Sequence, residues 1–157
     1  MKFSLICIGK TKQTFVQEGI SFYLKRISKY MKIYFQEIVI PNKLIAKNSN
    51  ESRNNESNYL QNYMKGNEFL ILLDENGIKY SSEKFAGFIQ QILINEQRNI
   101  VFAIGGAYGF SEEIKKKSSA IISLSDMTLP HDLVRVFFLE QFYRAMTILK
   151  NEPYHHS

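Results

Sequence analysis

The chain has 157 residues, 45% apolar and 22% charged, with a formal net charge of +5. This is the balance of one globular domain over residues 1–157, and it excludes a disordered tail, a collagen-like repeat or a disulfide-stapled miniprotein. The one cysteine, Cys7, cannot form an internal disulfide, so a reducing, cytoplasmic setting is expected, and no apolar run reaches the ~18 residues of a membrane span.

Strand and helix patterns alternate along the chain. Phe3–Ile8 is a short apolar run and reads as a strand. Phe15, Ile20, Tyr23, Leu24, Ile27 and Tyr30–Met31 recur at helical spacing, with Lys25, Arg26 and Lys29 on the more polar sides. Ile33–Ile40 reads as a second strand, stopped by Pro41. Lys47–Asn58 holds five Asn and three Ser with no large apolar residue, and reads as an exposed loop before a short helix at Tyr59–Met64.

Phe69–Asp74 reads as a strand closed by an Asn76-Gly77 turn. Ser81-Ser82 caps a helix through Phe85, Phe88, Ile89, Ile92 and Leu93. Asn99–Ile104 is a strand ended by Gly105-Gly106. Ser111 caps a short helix with acids in its first turn and Lys115–Lys117 near its end, which suits the helix dipole. Ile121–Leu124 is a last strand, and Pro130 starts a long helix from His131 to about Lys150. The order implies an α/β fold with a mostly parallel sheet.

Three loops follow strand ends: Leu73–Gly77, Gly105–Gly109 and Leu124–Leu129. In open α/β sheets, ligands bind beyond the carboxyl ends of the strands. Gly105-Gly106-Ala107-Tyr108-Gly109 lets backbone approach a ligand closely, but it has neither dinucleotide-fingerprint nor Walker spacing. Taken alone, these glycines fit a plain tight turn equally well, and His131 at a helix start is ordinarily structural. Arg135 and Arg144 lie nine residues apart on the long helix, and so on opposite sides of it. The basic excess is confined to residues 1–40, where seven basic side chains face only Glu18 and Glu37. That asymmetry favours a polyanion such as RNA, with a merely solvated basic face as the alternative.

The opening Met-Lys-Phe-x-Leu-Ile-x-Ile-Gly-Lys, Leu-Asp-Glu-x-Gly, Phe-Ala-Ile-Gly-Gly-Ala-Tyr-Gly, Leu-Ser-x-Met-Thr-Leu-Pro-His, Val-Arg-Val, Glu-Gln-x-Tyr-Arg-Ala and the terminal Pro-Tyr-His resemble the RlmH family of SPOUT-class methyltransferases, over essentially the whole chain. The resemblance implies a C-terminal trefoil knot, which general topology rules would not give. It implies a homodimer, S-adenosyl-L-methionine as cofactor, no metal, and methylation of N3 of a pseudouridine in large-subunit ribosomal RNA of the assembled ribosome. The implied cofactor residues are Leu73, Gly105, Leu124, Ser125, Asp126, Met127, Thr128 and Leu129; the chemistry of that reaction, anion stabilisation, base stacking and proton transfer, makes Arg135, Arg144, Tyr154 and His155 the candidate catalytic residues. His156 stands where family members commonly carry a basic residue. A non-catalytic RNA-binding or ribosome-assembly factor, and a SPOUT enzyme acting on transfer RNA, are the competing expectations.

Overall fold

The computed structural model describes residues 1–41 and 48–155. The elements in chain order are β1 (Phe3–Ile8), α1 (Thr14–Ile27), β2 (Ile33–Ile38), α2 (Ser49–Tyr63), β3 (Phe69–Lys79), α3 (Ser82–Asn95), β4 (Ile100–Ile104), α4 (Glu112–Lys117), β5 (Ala120–Ser123) and α5 (His131–Leu149). The five strands form one sheet in the order β2-β1-β4-β3-β5, and every pairing is parallel.

Parallel strands joined by helices are covered on both faces, so they read as continuous apolar runs. β1 and β4 are buried at every position. Phe3, Leu5, Cys7, Ile71, Leu73, Ile100, Phe102 and Ile104 point to one face and pack with residues of α1, α3 and α5. Ile6, Ile8, Leu70, Leu72, Val101 and Ala103 point to the other and pack with Leu60 of α2 and Ile114 of α4. This is the period-2 alternation of a strand feeding two cores. The larger core holds Phe102, Phe138 and Phe142 in mutual edge or tilted contact.

Ser81 and Ser111 cap their helices as expected, accepting from the backbone N–H of Lys84 and Ile114. Two readings of the sequence are corrected. Of the expected loop at 47–58, Lys47 lies outside the described residues, and from Ser49 onward the chain is helical, in α2 rather than a loop. Asn and Ser are poor helix formers, so tertiary contacts hold this helix: Leu60 is buried in the smaller core, and Ser52 and Ser57 are buried too. Asn48 caps it by accepting from Glu51 N–H at 2.7 Å. Nor does Asn76-Gly77 end the strand. Leu73 and Ile78 both align with Ile122, so Asp74–Gly77 bulge out before β3 resumes. Gly77 is required there, since a Cβ would lie 2.5 Å from the Ile122 backbone.

Candidate functional site: a pocket at the bulge of β3 and the carboxyl ends of β4 and β5

The three loops singled out in the sequence meet in one pocket of about 570 Å³, within the range of small-molecule sites. Leu73 and the Asp74–Asn76 bulge, residues 105–109, and Ser123–Ser125 with Met127–Leu129 line it. Sheet order places the loops together, because β4, β3 and β5 are neighbours and all point the same way. Parallel order thus brings the bulge inside β3 to the same edge as the loops that follow β4 and β5.

The walls combine apolar side chains with shaped backbone. Leu73, Leu124, Met127, Leu129 and Val134 supply apolar surface. At Gly105 a Cβ would sit 3.3 Å from the Gly109 backbone and 3.4 Å from the Phe110 ring, so a larger residue would displace the loop. Gly109 has φ +74° and donates its N–H to Gly106 O at 3.1 Å, closing a tight turn. In the last loop, Ser125 O accepts from Ser123 Oγ at 3.0 Å and Ser125 Oγ accepts from Met127 N–H at 2.9 Å. The polar rim holds Arg53, Asp74, Glu112, Lys115 and His131, with Lys115 Nζ 3.3 Å from Asp74 Oδ2.

All the expected cofactor residues except Asp126 line this pocket. The Asp126 side chain is instead exposed and paired with Lys79. His131, expected as structural, lines the pocket. So does Arg53 of α2, whose Nε–H donates to Tyr108 O at 2.6 Å. Also from α2, Glu56 Oε2 accepts the Gly106 N–H at 3.1 Å; burial pushes its carboxyl above the usual range and this hydrogen bond partly offsets the rise. Reading residues 47–58 as a loop hid both residues. One signal for the helix was present, since Asn48 precedes Glu51 by three residues, a capping spacing.

The four expected catalytic residues lie outside the pocket lining. Arg135 is fully buried. Its Nη1 donates to Thr11 Oγ1 at 2.5 Å and Glu37 Oε1 at 2.9 Å, and its Nη2 donates to the carbonyls of Ile8 and Gly9 at 3.0 and 3.1 Å. Its Nε is buried without a hydrogen-bond partner, and with no exposed surface the guanidinium does not line the pocket of this protomer. Arg144, Tyr154 and His155 do come together, on the opposite side of α5. Arg144 donates to Glu140 Oε1 from Nε at 3.0 Å and Nη2 at 2.7 Å and lies over the Tyr154 ring at 4.8 Å. Arg144 Nη1 donates to His155 Nδ1 at 3.4 Å, and His155 Nε2–H donates to Glu83 Oε1 at 2.7 Å; because arginine only donates, these partners select the Nε2–H tautomer. The Tyr154 hydroxyl donates to Glu140 Oε1 at 3.3 Å, and burial first, then Tyr23 and Glu140, pushes it up to about 12. His156 lies outside the described residues.

Among the described residues no His, Cys, Asp and Glu cluster fits a metal ion, and no helix is long and apolar enough to cross a membrane. The chain is 44% identical to the ribosomal RNA large subunit methyltransferase H of Christiangramia forsetii and 45% identical to that of Flavobacterium johnsoniae, over 99% of each chain. It is 40% identical to the protein of the same name from Trichlorobacter lovleyi, over 99% of this chain and 100% of the relative. The family model described as "Predicted SPOUT methyltransferase" matches residues 1–155. With that match running through every pocket loop and the tail, the chain belongs to the SPOUT methyltransferase family.

Proposed function

We propose that this methyltransferase uses S-adenosyl-L-methionine to methylate N3 of a pseudouridine in large-subunit ribosomal RNA, acting as a cytoplasmic homodimer on the assembled ribosome. One observation carries the reading: Leu73, Gly105 and the 124–129 loop converge on a single pocket in a chain that matches the family from residue 1 to 155. The names of its full-length relatives support ribosomal RNA as the substrate class, as does the basic N-terminal segment. A trefoil knot in the C-terminal part belongs to the same reading.

The pocket residues fit the cofactor. Its volume suits a nucleoside with an amino-acid arm, and glycines 105, 106 and 109 line it with backbone that a ligand can approach closely. Leu73, Gly105, Leu124, Ser125, Met127, Thr128 and Leu129 would hold it, with Asp126 contributing loop backbone only. When bound, the cofactor supplies a methyl group already activated by its sulfonium.

The remaining task falls to the chain. N3 of the base carries a proton and is a weak nucleophile until that proton is lost. Arg144 is suited to stabilise the imide anion, His155 to hold or accept the proton, and Tyr154 to stack on an extruded base. None of these lines the pocket of its own protomer, which supports a site completed by the tail and α5 of a second subunit. Exposed Leu133 and Phe137 on α5 suit such an interface. We assign Arg135 to positioning: it ties the start of α5, directly after the 124–129 loop, to the ends of β1 and β2.

The test is methyl transfer from labelled cofactor to intact ribosomes, separated subunits and transfer RNA, followed by nucleoside mass spectrometry. Methylated pseudouridine from ribosomes supports the reading. Methylated transfer RNA, or ribosome binding without cofactor binding, would replace it with one of the competing functions.

A further inference from the structure

We infer that Glu56 is a positioning residue for the cofactor loop, setting the orientation of the Gly105–Gly106 peptide and thereby the affinity for S-adenosylmethionine. This rests on the cofactor assignment above and adds a residue from α2, whose sequence bears no mark of the site.

α2 grips the glycine loop at three points. Gly106 N–H donates to Glu56 Oε2 at 3.1 Å, Arg53 Nε–H donates to Tyr108 O at 2.6 Å, and Ser111 N–H donates to Ser57 Oγ at 3.0 Å. Residues 53, 56 and 57 fall on one helix face by their spacing. In a trans peptide the N–H and C=O point opposite ways, and the described chain has no cis bond. Holding Gly106 N–H toward α2 therefore turns the Gly105 carbonyl away from α2, on a residue that lines the pocket. Holding Tyr108 O toward α2 likewise turns Gly109 N–H the other way, where it meets Gly106 O.

A peptide between two glycines has the least intrinsic preference for one orientation, so an external anchor decides it. Glu56 is that anchor. The fit is reciprocal: a Cβ on Gly106 would lie 2.5 Å from Glu56 Oε1, so glycine at 106 admits the carboxylate.

The experiment measures S-adenosylmethionine affinity by calorimetry, with KM and kcat on ribosomes, for the parent, Glu56→Ala, Glu56→Gln, Gly106→Ala, the Glu56→Ala/Gly106→Ala double variant and Asn58→Gly. Asn58 is exposed on the same helix, and glycine there loosens α2 without touching the loop. Glu56→Ala should weaken cofactor affinity and raise KM for cofactor about tenfold, the scale of one hydrogen bond to a charged group. At saturating cofactor, kcat should stay within about twofold, because the chemistry is untouched. Glu56→Gln keeps an acceptor oxygen and should return to within about threefold of the parent. Gly106→Ala should reproduce Glu56→Ala, and the double variant should be no worse than either single. A parent that binds cofactor while Glu56→Ala binds it equally well overturns this inference alone. A parent that binds no cofactor overturns the proposed function and this inference with it. Equal losses in Asn58→Gly and Glu56→Ala would make the effect one of helix stability and also overturn it.

Discussion

Arg135 Nη1 donates to Glu37 Oε1 at 2.9 Å, joining the second turn of α5 to the carboxyl end of β2. Thr11 completes the link by donating to the same carboxylate oxygen and accepting from Arg135. One buried guanidinium thus gathers three separated stretches of chain, and its Nη2 donates to two carbonyls of β1 and its turn.

Removing that guanidinium leaves a carboxylate and two carbonyls short of donors. Arg135→Ala should lower unfolding stability by about 3 kcal/mol, the low end for a broken buried pair, because Glu37 keeps some contact with water. Arg135→Lys should not rescue it, since an ammonium cannot span the same fork of acceptors. Urea unfolding of both variants checks this; a loss below about 1 kcal/mol, the scale of a surface pair, would show that the link is slack.

If sites are shared across a two-fold axis, a variant with a blocked pocket and one without a tail should complement each other. Gly105→Val should abolish cofactor binding, since even its Cβ crowds the Gly109 backbone. A chain lacking Tyr154–Ser157 keeps the pocket and loses the aromatic and histidine groups. Co-refolded in equal amounts, the two should recover about a quarter of parental activity: half the dimers are mixed, and each mixed dimer holds one intact site. No recovery, with mixed dimers demonstrated, would assign the tail to its own protomer's pocket.

Lys25 on α1 and Lys29 in the turn after it are exposed, whereas Arg26 lies over the rings of Phe22 and Tyr143 at 4.5 and 5.4 Å. Ribosome affinity of Lys25→Ala/Lys29→Ala should show a salt slope shallower by about two units, about one per lost phosphate contact. Arg26→Ala should change the slope less than either lysine. Binding identical to the parent at every salt concentration would leave these lysines as a solvated face.

Burial pushes the Cys7 thiol up to about 12, with Arg135 nearby pulling it down. A raised folded-state value stabilises the protein below the unfolded value near 9 and loses that contribution as pH rises toward 12. Over that interval the unfolded chain ionises its thiol while the folded chain does not. Stability should therefore fall with pH by up to about 1.4 kcal/mol per unit from this group, alongside smaller losses from the raised tyrosines Tyr30 and Tyr154. Cys7→Ala should remove its share, measured as a shallower alkaline slope in denaturant midpoints; an unchanged slope would show that the thiol does not contribute.

Local pattern alone determined most elements, because each carries its own signal. The apolar runs Phe3–Ile8 and Ile100–Ile104 became strands buried at every position. Ser81 and Ser111 cap the helices they announced. Glycine at 105, 106 and 109 marked a loop where backbone packs closely. Tertiary structure decided what depends on partners distant in sequence. Ser49–Asn58 have no helical stripe, and become helical because Asn48 caps them and Leu60 and Ser57 find buried places against the sheet and the glycine loop. Arg135 and Arg144 looked alike on one helix. Only the fold sends the first into a ring of acceptors from β1 and β2 and leaves the second beside Glu140 and the tail. A side chain's role follows from the charge and exposure its neighbours create, and those neighbours are chosen by topology, which no local window contains.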